Sequence, residues 1–353
     1  MTLQTLFDRQ AEACARLGSP FMDHMLRLCG ARLEPGHPVT DRLFSWQGDA
    51  TALGAAIALR FAGGLHALVL MNRDAGLVAA YPPNDVDDET LWSAIRTAMD
   101  THCDHLMYWL DSAPQTNEVR RSAAMITAAH MLAERFPALP LKVSELGASA
   151  GLNLYFDRFG LELPDGSQRG ATNPILTLHP EWSGPLPPTT RFEVVERRGG
   201  DLNPLDPTKP EDVLRLRSYT WPDQPERMAR LEAAISIAAP IVDRGDAAAW
   251  LADRLAKPAP GHIHLIYHTI AWQYFPPETD AACRAALSAA GAKASPEAPI
   301  AHLWVEADES DPRAIVRLTV WTGGTTPEII ELGRMNPHGI TFETFEPMDK
   351  ATA

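Results

Sequence analysis

The chain has 353 residues, which at roughly 150 residues per domain suggests about two domains. Hydrophobic residues make up 45% and charged residues 22%, a globular composition that excludes disordered, collagen-like and coiled-coil chains. The formal net charge is -14, and a chain this acidic would repel a nucleic-acid backbone and an anionic membrane surface, so we expect neither as a partner.

The cysteines and the first residues predict a cytoplasmic protein. Cys14, Cys29, Cys103 and Cys283 include no Cys-x-x-Cys pair, and four cysteines in a chain of this length are not a disulfide scaffold. The N-terminal segment is charged within residues 8–12 and lacks the apolar core of a signal peptide. No apolar run approaches the ~18 residues of a membrane span.

Residues 1–140 predict helices. Apolar residues recur on one helical face over Leu3–Cys14, and Ser19-Pro20 has the chemistry of an N-cap followed by a first helical position. Gly63-Gly64 is expected to interrupt an alanine-rich helical stretch. We expect residues 1–113 to form a helical N-terminal cap region. The later helices predicted here are Asp49–Arg60, Asp87–Leu110 and Thr116–Phe136.

After Pro140 short apolar runs alternate with helical patterns. Strands alternating with helices favour a mostly parallel sheet with covered faces, and residues 322–325 carry the turn signal of a closing antiparallel hairpin. The predicted strands are Leu141–Leu146, Phe192–Glu196, Pro240–Asp243, Ile263–His268, Ile300–Glu306, Ala314–Trp321 and Glu328–Leu332. The predicted helices are Leu152–Phe159, Glu211–Leu216, Pro225–Ala239, Ala247–Ala256 and Pro277–Ala290.

A glycine-rich turn, Gly147-Ala148-Ser149-Ala150-Gly151, follows the first predicted strand and precedes a helix. Ligands bind at such carboxyl ends of strands in open α/β sheets. Glycines let a ligand approach the backbone, and the start of a helix offers free N–H groups. This turn is therefore the strongest candidate for a binding site.

One interpretation of the turn is the Gly-x-Ser-x-Gly nucleophile elbow of a hydrolase, with Ser149 as the nucleophile. Asp246 and His268 follow in the chain order of the α/β-hydrolase triad. Against this, helices rather than strands precede the turn, no His-Gly-Gly segment is present, and Glu145 at the strand end has no role in hydrolysis. The hydrolase stays open as an alternative.

A second interpretation gives a role to Glu145, the acid at the end of the first predicted strand. A strand that ends in Glu145 and continues into Gly147 and Gly151 resembles motif I of the class I S-adenosylmethionine-dependent methyltransferases. The resemblance implies S-adenosylmethionine as cofactor, with the glycine turn wrapped around its methionine half and Glu145 near its ammonium group. The other turn residues implied in cofactor binding are Ala148, Ser149 and Asn153.

Two later strand ends resemble further motifs of these methyltransferases. Asp201-Leu202 resembles the acid that accepts hydrogen bonds from both ribose hydroxyls, followed by an apolar residue that packs on adenine. Asp246-Ala247 resembles the motif whose acid accepts from the adenine amino group. Asp201 lies 50 residues after Gly151, against roughly 20 in an ordinary βαβ unit, so we expect an insertion at 161–190, with a small hairpin by the active site. A second insertion is predicted at 205–225.

The residues that would contact the methyl acceptor are predicted at the end of the fourth predicted strand, Ile263–His268. The methyltransferase resemblance places motif IV there. His268 at the end of this strand is a candidate general base or substrate-orienting group, since an ordinary pKa near 6.5 suits proton removal at neutral pH, although a packed histidine at a strand end is equally expected. No metal site is predicted. The other candidate acceptor-site residues are Asn117, Glu118, Arg120, Trp272, Gln273 and Tyr274.

The whole-chain pattern resembles a bacterial family catalogued only as a domain of unknown function, number twenty-three thirty-two. The segments that carry it are residues 116–121, 145–154, 201–207, 219–224 and 268–274. The resemblance implies an α/β fold of the Rossmann-like class I methyltransferase type over residues 114–353, behind the helical N-terminal region, and implies no substrate.

Three functions remain as hypotheses. The first is a methyltransferase acting on a small molecule, since the acidic charge disfavours nucleic acid. The second is a serine hydrolase. The third is a non-catalytic nucleotide-binding module on the same fold, because fold alone does not determine function.

Overall fold

The structure is a computed structural model, and it describes residues 1–308, 311–324 and 326–346. These residues fold into two compact units. The first comprises residues 1–116 and 209–231, and the second comprises residues 117–208 together with the described part of the chain from residue 232 onward. Among the described residues, no helix combines the length and the apolar character that crossing a membrane requires.

The first unit is helical, and its local sequence explains where helices begin. Ser19 caps the second helix by accepting a hydrogen bond from the Met22 N–H, with Pro20 at the first helical position, as predicted. Its first seven helices are α1 (Leu3–Arg16), α2 (Pro20–Arg32), α3 (Pro38–Phe44), α4 (Ile57–Leu70), α5 (Ala75–Ala80), α6 (Asp88–Thr101) and α7 (Cys103–Leu110).

Two helix predictions in this unit are wrong. The helix predicted at Asp49–Arg60 begins only at Ile57 and runs through Gly63-Gly64 without interruption. A Cβ atom at Gly63 would lie 2.5 Å from the Tyr219 ring, so the glycine provides room for a packed side chain and does not end the helix. The single helix predicted at Asp87–Leu110 is divided at residue 102 into α6 and α7.

The second unit contains the sheet. Its helices are α8 (Ser122–Arg135), α11 (Ala247–Leu255) and α12 (Pro277–Gly291), whereas α9 (Pro210–Ser218) and most of α10 (Pro225–Ile235) belong to the first unit. Short 3-10 helices lie at Val119–Arg121, Leu152–Arg158 and Trp272–Tyr274. The strands are β1 (Leu141–Leu146), β2 (Gly160–Glu162), β3 (Gln168–Gly170), β4 (Thr177–Leu178), β5 (Glu181–Ser183), β6 (Val194–Asp201), β7 (Val242–Arg244), β8 (Ile263–Thr269), β9 (Ile300–Asp308), β10 (Asp311–Trp321), β11 (Glu328–Met335) and β12 (Thr341–Thr344).

The main sheet is open and mostly parallel, which confirms the coarse fold prediction. Its strand order is β5-β12-β11-β10-β9-β8-β1-β6-β7. Neighbouring strands from β7 to β9 run parallel, whereas β9 to β12 form an antiparallel series. The closing part is therefore longer than the predicted hairpin, because β9 pairs directly with β10.

The direction of strand order changes between β1 and β8, since the chain from β1 continues to β6 on one side and β8 lies on the other. Open α/β sheets bind ligands in the crevice at the carboxyl ends of strands beside such a point. The glycine turn that follows β1 lies at this position. The topology thus locates the predicted turn where a ligand site is expected.

The predicted insertion at 161–190 forms more than a hairpin. Strands β2, β3 and β4 make a separate small sheet, and β5 adds to the edge of the main sheet beside β12, far from β1 in strand order. His130 of α8 anchors this insertion: its Nδ1–H donates to the Thr190 carbonyl at 2.7 Å, and its Nε2 accepts from the Gly170 N–H at 2.9 Å.

Candidate functional site

The glycine turn has a backbone shape that ordinary side chains avoid. Gly147, Ser149 and Gly151 have φ values of 64°, 54° and 73°. A Cβ atom at Gly147 would lie 2.5 Å from the Ala271 Cβ, and one at Gly151 would lie 2.8 Å from Val242 Cγ2. Both glycines are therefore required by conformation and by space, whereas Ser149 bears a strain of about 1 kcal/mol.

The Asp201 side chain holds this turn against the end of β6. Its Oδ2 accepts from the Ser149 N–H and its Oδ1 from the Asn203 N–H, each at 2.8 Å. The Gly147 N–H donates to the Gly200 carbonyl at 2.9 Å. An ionised carboxylate has roughly four acceptor sites, so these two backbone donors do not exhaust the capacity of Asp201.

Two buried polar atoms at the turn have no hydrogen-bond partner among the residues that the structure describes. They are Glu145 Oε2 and Ser149 Oγ, and Glu145 is only 1% exposed. Burial raises the pKa of Glu145 well above its ordinary value, the negative charge of Asp201 raises it further, and Arg121 opposes both. Buried polar groups are almost always hydrogen-bonded, so one such atom at the end of β1 and another in the glycine turn make this position a candidate ligand site.

Beside the turn, the end of β6 presents an exposed apolar side chain. Leu202 is 65% exposed, which is unusual for a leucine that follows a strand of the central sheet. The exposed Asp246 caps α11, since its Oδ1 accepts from the Ala248 N–H at 2.9 Å, while its Oδ2 accepts from Thr279 Oγ1 at 3.3 Å. Ala247 is the first residue of α11.

The predicted residues Asn117 and Asn153 connect the segment before α8 to the turn. Asn117 Oδ1 accepts from the Leu152 N–H at 2.9 Å. Asn153 Oδ1 accepts from Ser122 Oγ at 2.8 Å, and its Nδ2 donates to the Glu118 carbonyl at 3.3 Å. Both asparagines are buried. Their amide groups are thus used to position the turn, which is how they contribute to the site in this structure.

The predicted Glu118 and Arg120 lie in the same segment. Glu118 is buried, and its Oε1 accepts from the Arg120 N–H at 3.1 Å. Arg121, which the sequence analysis did not select, reaches further: its Nη1 donates to the Thr269 carbonyl at 2.9 Å and its Nε to the Pro337 carbonyl at 2.8 Å. The arginine thereby ties the end of β8 to this segment.

The structure buries His268 completely, at 0% exposure. Its Nδ1–H donates to Glu306 Oε1 at 2.5 Å, and its Nε2 lies 3.0 Å from His302 Nε2. Both ring nitrogens are engaged, so this arrangement leaves neither of them open to a methyl acceptor. Among the hydrogen bonds of the described residues, none joins Ser149 to His268 or His268 to Asp246. The particular triad predicted from these three residues is therefore not assembled.

The loop after β8 contains one residue with a strained backbone, one buried side chain and two exposed side chains. Ile270 has a φ of 52°, a genuine outlier for a β-branched residue. Trp272, expected in the pocket wall, is instead buried, with its ring 4.7 Å from that of His268. Gln273 and Tyr274 are exposed, so these two predicted residues are accessible at the carboxyl end of β8.

Comparison with known proteins identifies the family. A family described as an uncharacterized protein conserved in bacteria, DUF2332, matches residues 4–344. The chain belongs to this family. No curated protein and no solved structure gives a significant match. The match confirms the family resemblance found in the sequence and extends over both units, and it carries no activity with it.

For this DUF2332 chain, sequence analysis missed two buried groups, Glu306 and His302. Both lie on β9, which pairs in parallel with β8. Because their separation from His268 in sequence is more than 30 residues, only strand pairing brings them together. The one usable signal was the even spacing of the two residues along a predicted buried strand, which puts them on one face. Within the described residues no group of His, Cys, Asp or Glu side chains is arranged to hold a metal ion.

Proposed function

We propose that this chain is an S-adenosylmethionine-dependent methyltransferase that acts on a small molecule. The observation that carries the proposal is a pair of buried, unpartnered atoms at the carboxyl end of β1: Glu145 Oε2 on the strand itself and Ser149 Oγ on the glycine turn that follows. S-adenosylmethionine supplies an electrophilic methyl group and carries an ammonium group and hydroxyl groups, which are donors that such acceptors require.

The side chains around the turn fit the parts of this cofactor. The Glu145 carboxylate would hold the ammonium group and become ionised beside it, because an opposite charge lowers a carboxyl pKa. The acceptor sites that remain on Asp201 would hold the ribose hydroxyls. Leu202 would pack on the adenine face, and the exposed Asp246 would accept from the adenine amino group.

The acceptor side follows from the loop after β8. Methyl transfer is an in-line displacement, so the protein mainly supplies alignment. The exposed Gln273 and Tyr274 would contact the acceptor, whereas the enclosed His268 would orient the loop that carries them. The charge of -14 favours a small acceptor over a nucleic acid.

The test is calorimetric titration with S-adenosylmethionine and with S-adenosylhomocysteine. We expect micromolar binding by the wild-type protein and a loss of about tenfold in Leu202→Ala, since burial of a leucine side chain is worth roughly that factor or more. Ile329→Ala is the matched control, because Ile329 is 61% exposed against 65% for Leu202 and lies on β11. Absence of binding to either ligand, or equal weakening in both variants, would contradict the proposal.

A serine hydrolase remains a second candidate because Ser149 has an unpartnered hydroxyl on a strained turn, as a nucleophile elbow does. A fluorophosphonate probe that labels the wild-type protein but not Ser149→Ala would support it, and absence of labelling would exclude it. The non-catalytic nucleotide-binding module would be excluded by methyl turnover on any acceptor.

A further inference from the structure

A buried carboxylate, Glu306, accepts hydrogen bonds from the loop that follows β8 and has no part in the proposed binding of cofactor or methyl acceptor. Glu306 on β9 is 1% exposed. Together with His268 and His302 it forms what we call the Glu306 cluster, in which all three side chains are buried. A charged group is costly to bury unless it is paired and hydrogen-bonded, so the contacts of Glu306 indicate what it does.

Those contacts converge on the loop that follows β8. Glu306 Oε1 accepts from the Ala271 N–H at 2.9 Å, from the Trp272 N–H at 3.0 Å and from His268 Nδ1 at 2.5 Å. Two of the three donors are main-chain groups of residues 270–273, which we call the β8 loop. The carboxylate therefore fixes the path of the backbone in this loop.

The β8 loop needs such support because of its own conformation. Ile270 has a φ of 52°, and a strained residue persists only where its surroundings over-determine it. The loop also approaches the glycine turn so closely that a Cβ atom at Gly147 would lie 2.5 Å from the Ala271 Cβ. A change in the backbone path of the β8 loop would therefore change what packs against the glycine turn.

The protonation state of Glu306 agrees with this role. Burial acts to raise its pKa, but the hydrogen bond and charge of His268 and the two backbone N–H groups outweigh burial, and the net pKa is lowered. Burial also lowers the pKa of His302 well below its ordinary value. The carboxylate is thus ionised, and hydrogen bonds to a charged acceptor are stronger than neutral ones.

We propose that Glu306 is a positioning residue that holds the β8 loop against the glycine turn, with His268 orienting its carboxylate and His302 supporting His268. The effect on the loop rests on geometry alone. The effect on ligand affinity rests, in addition, on the proposed function of the turn as a cofactor site.

The experiment compares Glu306→Gln with Ser144→Ala by hydrogen exchange and by calorimetry. Glu306→Gln keeps the side-chain shape and removes the charge. Ser144→Ala removes two hydrogen bonds elsewhere, that between Ser144 Oγ and His264 Nε2 of β8 at 2.9 Å and that from Arg254 Nε to Ser144 Oγ at 3.1 Å. The melting temperature of each variant is measured alongside, so that a general loss of stability is separated from a local one.

We expect exchange in the peptide covering residues 270–275 to become about tenfold faster in Glu306→Gln, because a hydrogen bond to a charged group is worth roughly that factor. Affinity for S-adenosylhomocysteine should fall by a similar factor, and Ser144→Ala should change neither quantity. If Glu306→Gln fails to fold, Glu306→Asp, which keeps the charge on a shorter side chain, should show the same local acceleration.

Unchanged exchange in residues 270–275, or equal acceleration in Ser144→Ala, would overturn the positioning role. These outcomes are separate from the fate of the proposed function. If the wild-type protein binds neither cofactor form, the methyltransferase proposal fails while the exchange measurement still decides the role of Glu306. If the wild-type protein binds and exchange in Glu306→Gln is unchanged, only the positioning role fails.

Discussion

Glu145 is a buried acid whose burial is costly for the fold, and in the proposed function the same carboxyl group would bind a ligand. Glu145 lies at the end of a buried strand and has an unpartnered oxygen, and its pKa is raised by burial and by the charge of Asp201. When folding raises the pKa of a carboxyl group, the group stabilises the protein fully only at a pH below its ordinary pKa of 4.5. This stabilisation is lost as the pH rises from there through the pKa of the folded state. At neutral pH the raised pKa of Glu145 therefore lowers the free energy of unfolding.

We expect Glu145→Gln to raise the free energy of unfolding at pH 8, because glutamine cannot ionise, whereas the buried carboxyl group has a raised pKa and each unit of such a shift is worth about 1.4 kcal/mol. The gain should shrink at pH 5, where the wild-type carboxyl group is protonated more easily. The same variant should bind S-adenosylmethionine more weakly, because the ammonium group loses its counter-charge. Urea unfolding at both pH values and calorimetry check these expectations.

Glu193→Gln is the control, since Glu193 is an exposed acid of the same unit. It should alter neither stability nor binding. A Glu145→Gln protein that is less stable than wild type at pH 8 would show that the carboxylate has a structural partner, and would remove the main reason for placing a ligand there.

At the scale of elements, the turn between β1 and the following 3-10 helix is defined by close packing as much as by sequence. The motif and the strand before it, Leu141–Leu146, were predicted with the observed bounds. Its contacts could not be predicted, because Val242 and Ala271 approach the turn from strand ends far along the chain. The hydrophobic periodicity of a helix or strand predicts which of its faces is buried, but it does not predict which residues pack against that face.

Gly147→Ala tests the packing of this element. The added methyl group would lie 2.5 Å from the Ala271 Cβ, and the alanine would have to keep a φ of 64°. We expect the free energy of unfolding to fall by roughly 2 to 4 kcal/mol, because the left-handed backbone and the clash both cost energy. Cofactor binding should be lost with it. Unfolding in urea and calorimetric titration are the measurements.

The matched control is Gly166→Ala in the turn between β2 and β3. Gly166 has a φ of 78°, and a Cβ atom there would meet nothing within 4 Å, so this variant measures the backbone cost alone, about 1 kcal/mol. Equal losses in the two variants would mean that the approach of the β8 loop to the turn is not a constraint.

At the scale of the whole molecule, both units bury neutral histidines. Burial lowers the pKa of His66 in the first unit to about 4 and that of His264 in the second to about 3. Burial likewise lowers the pKa of His105, His130 and His302. A histidine whose pKa falls on folding binds its proton more tightly in the unfolded state, so its contribution to stability is complete above about 6.5 and is lost as the pH falls.

We therefore expect the stability of both units to decrease between pH 7.5 and pH 5, by roughly 2 kcal/mol for each deeply buried histidine. Glu145 acts in the opposite direction and offsets part of this loss. Thermal unfolding across the pH range measures the effect. His264→Gln should flatten the profile of the second unit, and His179→Gln, at an exposed histidine, should not. A profile that is flat down to pH 5 would contradict the assignment.

Three features could be predicted from the amino-acid sequence: the helical N-terminal region, the change to alternating strands and helices near Pro140, and the glycine turn. Each of these depends on residues close together in the chain. Family membership could also be recognised from the amino-acid sequence, because the family match extends over residues 4–344. These features are local or statistical, and periodicity, caps and turn residues are sufficient to predict them.

The surroundings of the glycine turn depend on contacts between segments that are distant in the chain. Strand pairing brought Glu306 and His302 to His268 and changed an expected general base into an enclosed group. Packing made Gly63 part of a helix, where sequence rules predict an interruption. The reason is the same in each case: pairings between distant segments determine burial and hydrogen-bond partners, and no local pattern records them.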